Sequence, residues 1–237
     1  MNLSSVKITE EFRGRIWEST LQFPLDKRVF QLYHNIMKLL NLHLVEEKLL
    51  ELNIKIFTPA EFKVIFGVSK RAVQGFLNYN TKKGAFVHLR KGLYGLKRSP
   101  PNEFVLANRA YSPSYLSLDS ALAYYNLIPE TVYSITSVTT RPTREFKMNN
   151  LAYKYRKIKK EAFTGYEPKK IGGQIIYIAV PEKAVADFLY FVSLGKQTFN
   201  DRLKIEEINK TKLFQYLKLF KQKRLIAFAN RFLKNDR

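Results

Sequence analysis

Thr58-Pro59-Ala60-Glu61-Phe62-Lys63-Val64-Ile65-Phe66-Gly67-Val68-Ser69-Lys70-Arg71-Ala72-Val73-Gln74-Gly75-Phe76-Leu77-Asn78-Tyr79 is the stretch on which the reading of this 237-residue chain turns. Thr58 is placed to cap the free amides of a helix, Pro59 fits its first position, and Glu61 stands where a capping box closes. Gly67 suits the left-handed residue that ends a helix, and Ser69 is a good N-cap for the next. The second helix, residues 70–79, divides by face. Ala72, Val73, Phe76 and Leu77 form the side that packs on the preceding helix. Lys70, Gln74 and Asn78 recur every four residues along another, with Arg71 beside them. Arg pairs with guanine, and Gln or Asn can make two bonds to adenine, so an exposed row of these types can read base edges in a major groove.

A solvated helix face accounts for most such rows. Here the flanks favour DNA. After Lys82-Lys83-Gly84 the residues read as a hairpin, with Val87 and Leu89 alternating with Phe86 and His88 as in a half-buried strand. Arg90-Lys91-Gly92 supplies a turn with two cations at its tip, and residues 93–96 return. Such a tip suits phosphate contacts, which position a protein without specifying sequence. From residue 62 to residue 102 there are nine Lys or Arg and no Asp or Glu. The spacing therefore predicts a winged helix-turn-helix. Its DNA-contacting set is Lys70, Arg71, Gln74, Asn78, Lys82, Lys83, Arg90 and Lys91.

The whole chain carries a formal net charge of +21, which implies a polyanionic partner but says nothing of fold. The excess is shared, with 17 basic and 8 acidic residues in 1–100 and 24 and 12 in 101–237. A hydrophobic fraction of 46% with 14% aromatics argues for a packed core. There are no cysteines, which excludes disulfides, thiol chemistry and cysteine zinc sites. His34, His43 and His88 lack ligand spacing, so neither a metal nor a cofactor is expected. No apolar run approaches the ~20 residues that span a membrane, and the first residues lack a secretory core, so a cytoplasmic protein without membrane contact is expected.

Residues 1–26 read as a weakly patterned arm. Val29, Phe30, Leu32, Tyr33, Ile36, Met37, Leu39 and Leu40 repeat as an amphipathic helix, with a second over residues 44–52. Ser99-Pro100-Pro101-Asn102 is the clearest punctuation and divides a domain of residues 1–98 from one of residues 103–237. The second domain reads as mixed α/β. Ser117-Leu118-Asp119-Ser120 looks like a capped start for a helix through Asn126. Strands are expected over 132–140 and 174–180, a further strand or hairpin over 145–159, a helix from Pro181 to about Leu194, and two C-terminal helices. The fold class is thus α+β: a winged helix-turn-helix domain, then a mixed α/β domain with a helical C-terminus.

Several separated motifs, in order, resemble the AbiEi family of antitoxins. They are Ser114-Tyr115-Leu116-Ser117-Leu118-Asp119-Ser120-Ala121-Leu122, Asn126-Leu127-Ile128-Pro129-Glu130 and Ile135-Thr136-Ser137-Val138-Thr139-Thr140 with Arg141-Pro142-Thr143-Arg144 after it. Phe163-Thr164-Gly165-Tyr166 and Pro181-Glu182-Lys183-Ala184-Val185-Ala186-Asp187-Phe188 follow, and the Gly92-Leu93-Tyr94 return strand also fits. Together they cover residues 55–195. The resemblance implies a transcriptional regulator of a bacterial type IV toxin–antitoxin, or abortive-infection, system used in phage defence. In that family the winged helix represses its own operon by binding repeated double-stranded operator DNA. The C-terminal domain counteracts a nucleotidyltransferase-type toxin, classically without a stable complex. Repeated half-sites are compatible with a homodimer on DNA. The chain departs from the family pattern in its first 55 or so residues and in its basic C-terminal helix pair.

Two other readings start from the residues. One is a nucleic-acid-processing enzyme built on Glu182, Lys183 and Asp187. Glu182 at a helix start is explained by the helix dipole, and no paired metal carboxylates, nucleophile–base set or phosphate-cradling loop accompanies it, so no catalytic residue is assigned. The other is a regulator whose C-terminal domain senses a small ligand. Finally, Arg141 and Arg144 precede a run in which Lys154, Arg156, Lys157, Lys159 and Lys160 alternate with Tyr153, Tyr155 and Ile158. That run is expected to form one basic strand face, either a lysine-protected sheet edge or a second polyanion surface for DNA or RNA built from Arg141, Arg144, Lys154, Arg156, Lys157 and Lys159.

Overall fold

The computed structural model describes residues 40–130 and 133–235. The expected arm over residues 1–26 and the expected helix from Val29, apart from Leu40, fall outside the described residues. The chain divides into two compact units, Met1–Val45 and Glu46–Arg237. Of the first unit, residues 40–45 are described, and they hold the start of helix α1 (Leu42–Glu51), where Asn41 accepts a bond from the His43 amide at 2.9 Å. All that follows belongs to the second unit, which is mixed α+β. Among the described residues the chain has eight α-helices and two sheets.

Strand β1 (Ile56–Phe57) leads into α2 (Pro59–Phe66), a turn, and α3 (Lys70–Lys82). The local signals act as read. The Thr58 hydroxyl accepts the Glu61 amide at 3.2 Å, and Glu61 accepts the Thr58 amide at 2.8 Å, closing the capping box. Gly67 ends α2 at φ 64°, a left-handed conformation that costs glycine nothing. Ser69 accepts the Ala72 amide at 3.2 Å. Helix α3 runs past Tyr79 to Lys82, because Asn80 turns inward and donates to the Phe76 carbonyl at 2.9 Å. Val73 and Leu77 are buried, and Phe62 lies 5.5 Å from Phe57 and 5.6 Å from Phe76, so the two helices share an aromatic core.

Strands β2 (Phe86–Arg90) and β3 (Leu93–Leu96) form the hairpin, and the sheet order is β1-β3-β2. Phe86 joins the aromatic core, 5.6 Å from Phe57, while Leu89 and Leu93 join a second, larger core. The register slips between His88 and Arg90, so one extra residue sits in β2 as a bulge. That bulge corrects the expected hairpin tip. In an unbroken strand Arg90 would share the face of Phe86 and His88. Instead its guanidinium lies 4.3 Å from the Phe146 ring centre and donates to the Ala110 carbonyl.

The Ser99-Pro100-Pro101-Asn102 stretch is punctuation, and Asn102 also starts a helix absent from the sequence expectation. Its side chain accepts the Phe104 amide at 2.9 Å and caps α4 (Glu103–Ala110). Ile56, Leu89 and Leu93 pack in the same core as Leu106 and Ala107, so the interior is continuous across this stretch.

The large sheet contains β4 (Ser114–Leu116), β5 (Ser134–Thr139), β6 (Arg144–Met148), β7 (Leu151–Lys157), β8 (Tyr166–Ile171) and β9 (Gln174–Ala179), in the order β6-β7-β5-β4-β9-β8. It is built as two like halves about the antiparallel β4–β5 pair. In each half an inner strand pairs in parallel with the second strand of a hairpin whose first strand is the sheet edge. Both hairpins turn in two residues of positive φ, Asn149-Asn150 and Gly172-Gly173, the turn that suits strand twist. Strands β4 and β8 were not read from the sequence.

Helix α5 (Asp119–Tyr124) corrects the expected cap. Ser117 does not cap it, and Leu118 precedes it at φ 54° without a side-chain bond. The Ser120 amide instead donates to the Thr136 hydroxyl at 3.0 Å, and Ser120 accepts the Thr136 amide at 2.8 Å. Helix α6 (Pro181–Ser193) buries every residue from Lys183 to Phe191, and α7 (Lys210–Lys218) and α8 (Lys223–Asn235) pack beyond it.

Within α6, Lys183 and Asp187 are wholly buried and paired one turn apart. Asp187 also accepts Ser117 at 2.8 Å and Tyr115 at 3.0 Å. Burial lowers the Lys183 pKa and raises that of Asp187, and their mutual attraction opposes both shifts. Gly165 is held against this pair, because a side chain there would meet Tyr216 at 2.5 Å and Lys183 at 3.1 Å. Asp187→Ala strands a buried ammonium and is expected to cost about 3–5 kcal/mol in denaturant unfolding, and Lys183→Met with Asp187→Leu should recover most of it.

Candidate nucleic-acid interface

Helix α3 presents the expected row. Lys70, Arg71, Gln74 and Asn78 are all exposed, and none of them makes a side-chain hydrogen bond or ion pair within the described chain. The first turn of α3 holds no acid. Its free amides and the positive end of its dipole therefore stand beside Lys70 and Arg71, which makes this corner attractive to anions. At the other end Lys82 and Lys83 are exposed, and the Lys83 ammonium sits 5.0 Å over the Tyr79 ring. The Tyr79 hydroxyl holds the Lys83 pKa above its ordinary value. Lys91 is exposed at the hairpin turn. Arg90 leaves this set, since its charge is engaged inside the fold as described. His88 is exposed, with its ring 5.1 Å from Tyr94.

What positions α2 is a contact that sequence reasoning missed. Arg109 on α4 donates through Nη2 to both oxygens of Glu61 at 2.6 Å. Glu61 thus serves the capping box of α2 and a tie to α4 at once. The pairing is 48 residues apart in sequence, so no local pattern announces it.

The basic run over residues 154–160 does not form one face. Strand β7 is hydrogen-bonded on both sides, to β5 and β6, so it is not a sheet edge. Along it Lys154 and Arg156 alternate with buried Tyr153 and Tyr155, and Lys157 falls in phase with the tyrosines. Lys154 and Arg156 are half-buried and lie close enough to Asp119 to oppose the rise that burial causes in its pKa. Lys159 donates to the Phe220 carbonyl at 3.2 Å, satisfying the end of α7. Arg141 donates to the Ser112 carbonyl at 3.0 Å and lies 4.4 Å from the Tyr111 ring centre. Arg144 and Lys157 are exposed. The six residues are therefore dispersed over different tasks.

Glu182, Lys183 and Asp187 also separate. Glu182 lies 3.3 Å from the Lys212 ammonium, while Lys183, Asp187, Tyr115 and Ser117 have no exposed surface and form the buried network described above. No helix among the described residues is long and apolar enough to cross a membrane.

Burial alone would raise the Glu61 pKa, but the bonds from Arg109 and Thr58 outweigh it and leave it below the ordinary 4.5. A lowered carboxylate pKa stabilises the fold above the unfolded value and loses that contribution as pH falls through the folded value. Glu61→Gln keeps a capping side chain and removes the charge. It is expected to cost under about 1 kcal/mol near neutrality, because solvent screens this half-exposed pair. The difference from wild type should vanish in unfolding measurements below the folded Glu61 pKa.

Compared with known proteins, the sequence matches no family model and no curated protein.

Proposed function

We propose that residues 55–97 are a winged helix-turn-helix and that the chain is a DNA-binding transcriptional regulator. The observation that carries this is the exposed face of α3, where Lys70, Arg71, Gln74 and Asn78 are unpaired among the described residues, on a helix whose first turn has no acid. In this reading α3 enters the major groove, Arg71 and Gln74 meet base edges, and Lys91 meets phosphate from the hairpin. Lys82 and Lys83 extend the cationic track. The turn at Gly67, the α3 length and the hairpin all support it.

The resemblance to AbiEi takes the reading further: an autorepressor and antitoxin of a type IV system, acting against a nucleotidyltransferase-like toxin. Operator DNA is the direct partner, and the toxin is the functional one. The fold after residue 103 would carry the antitoxin activity, independent of base reading by α3.

Arg71→Ala and Gln74→Ala are each expected to weaken binding to the operator by about 1–3 kcal/mol and to relax base choice. Lys91→Ala should weaken specific and nonspecific duplexes alike and flatten the salt dependence by about one ion. Arg90→Ala should instead lower thermal stability. Band-shift titrations over a salt series separate these, and unchanged operator affinity in both α3 variants would refute the assignment. For the antitoxin half, Arg71→Ala with Gln74→Ala in the full chain should lose repression yet still rescue cells expressing the neighbouring toxin.

A further inference from the structure

The last two helices carry a second cationic surface. Residues 208–235 hold eight Lys or Arg and no Asp or Glu, and Glu206 and Glu207 bound this run on its N-terminal side. Lys210, Lys218, Lys221, Lys223, Arg224 and Arg231 are exposed, and none makes a side-chain hydrogen bond or ion pair with the described residues. Lys212 is the exception, paired with Glu182 at 3.3 Å. The apolar stripes are already spent. Leu213 and Leu217 of α7, Phe220 between the helices, and Leu225, Ala229 and Leu233 of α8 are buried in the large core. A helix that lies on a bilayer inserts its apolar face, and here that face is occupied, so what the pair offers a partner is charge.

The charge is densest at the turn between the helices, where Lys218, Lys221, Lys223 and Arg224 fall within seven residues. Lys221 stands at φ 51°, a left-handed conformation that glycine enters at less cost. A cation thus holds a place where backbone preference favours glycine, among three others that repel it, and a polyanion relieves that repulsion. Farther along α8, Arg224 and Arg231 lie two turns apart on one side. Every aromatic ring of the pair is buried or half-buried. Single strands are gripped by stacking their bases on open rings, whereas a duplex turns its phosphates outward to meet bare cations. Such contacts hold a duplex without reading its sequence.

The sheet separates this surface from α3. Side chains alternate along β4, so Tyr115 and Leu116 face opposite sides. Tyr115 bonds Asp187 of α6. Leu116 is in register with Ser137, and Ser137 with Tyr155, whose hydroxyl bonds the Ala107 carbonyl of α4 at 2.7 Å. Helices α4 and α6 therefore cover opposite faces. The α2–α3 pair is tied to α4 through Glu61 and Arg109, while Phe220 stacks on Tyr190 of α6 at 4.1 Å. We infer that the outward side of α7 and α8 binds a second segment of duplex DNA through its phosphates, so that one chain holds two duplexes. The choice of DNA rests on the regulator reading: DNA held by α3 brings further duplex to the chain at high effective concentration.

The test uses the full chain and a DNA duplex of about 12 base pairs, just over one helical turn, with stoichiometry read by analytical ultracentrifugation. Wild type should bind two duplexes per chain. Arg224→Gln with Arg231→Gln should bind one, and so should Arg71→Gln with Lys91→Gln. In the Arg71/Lys91 variant this surface is the one that remains, and there a salt series by fluorescence anisotropy measures it directly. Adding Arg224→Gln and Arg231→Gln to that variant should flatten the salt dependence by about two ions, and adding Lys221→Gly instead by about one. Lys221→Gly should melt at or above the wild-type temperature, which separates a lost contact from a damaged fold. A single strand of the same length should bind the Arg71/Lys91 variant more weakly than the duplex. One duplex per wild-type chain overturns the proposal and leaves the face to an acidic protein. Salt dependence unchanged by both additions, or a single strand bound as tightly as the duplex, also overturns it. If the Arg71/Lys91 variant still binds two duplexes while the Arg224/Arg231 variant binds one, the α3 reading fails and this surface stands.

Discussion

Strand β2 must bury both of its faces, and much of the molecule follows from that constraint. Phe86 fills the aromatic core under α2 and α3, while Leu89, with Val87 beside it, packs in the larger core that includes α4 and the six-stranded sheet. Burying two such side chains contributes roughly 1.5–3 kcal/mol each, on opposite sides of one ribbon. The two helices are thereby fixed to the body by a shared wall, with the Arg109–Glu61 pair as a second tie. Gly95 is part of the same fit, because a side chain there would come within 3.1 Å of Leu89. The bulge beside Leu89 then turns Arg90 to the interior, so the hairpin's cationic character at its turn rests on Lys91.

The buried Lys183–Asp187 pair plays a comparable part at the other end. An ion pair removed from water repays its desolvation poorly, and well-packed apolar residues would often serve stability as well. Its value here lies in direction. Asp187 draws Ser117 and Tyr115 from the β4 region onto α6, which fixes where the helix crosses the sheet. Apolar contacts alone would tolerate a shift by one side chain, whereas leaving either hydroxyl or the carboxylate unpaired carries a penalty.

Which parts of this were legible depends on the range of the interaction. Helix ends at Thr58, Gly67 and Ser69 are set by bonds within four residues, and the pattern showed them. The strands at Gln174–Ala179 and Ser134–Thr139 carry enough β-branched and apolar residues to declare themselves. Strand β4 is three residues long, and β8 contains Pro168 and two lysines, so both are strands because of their neighbours. Ser117 looked like a cap by every local rule and was claimed by a carboxylate 70 residues away. The cap at Asn102, followed by Glu103, was a readable helix start that the two prolines obscured. Arg90 and the Arg109–Glu61 tie lay beyond reach, because a bulge and a distant partner decide them.

The electrostatics of helix starts divide the described helices into two groups. Helices α2, α4, α5 and α6 each place an acid in the first turn, as the dipole favours: Glu61, Glu103, Asp119 and Glu182. Helices α1, α3, α7 and α8 place none there. In α7 the deficit is partly met, because Lys212 pairs with Glu182 of the neighbouring helix. For α3 no ion pair forms among the described residues, and two cations at its positive end cost roughly 0.3–1 kcal/mol apiece. A face that carries that cost without internal relief, and follows it with Gln74 and Asn78 on the same exposed row, is more stable with a polyanion against it than without.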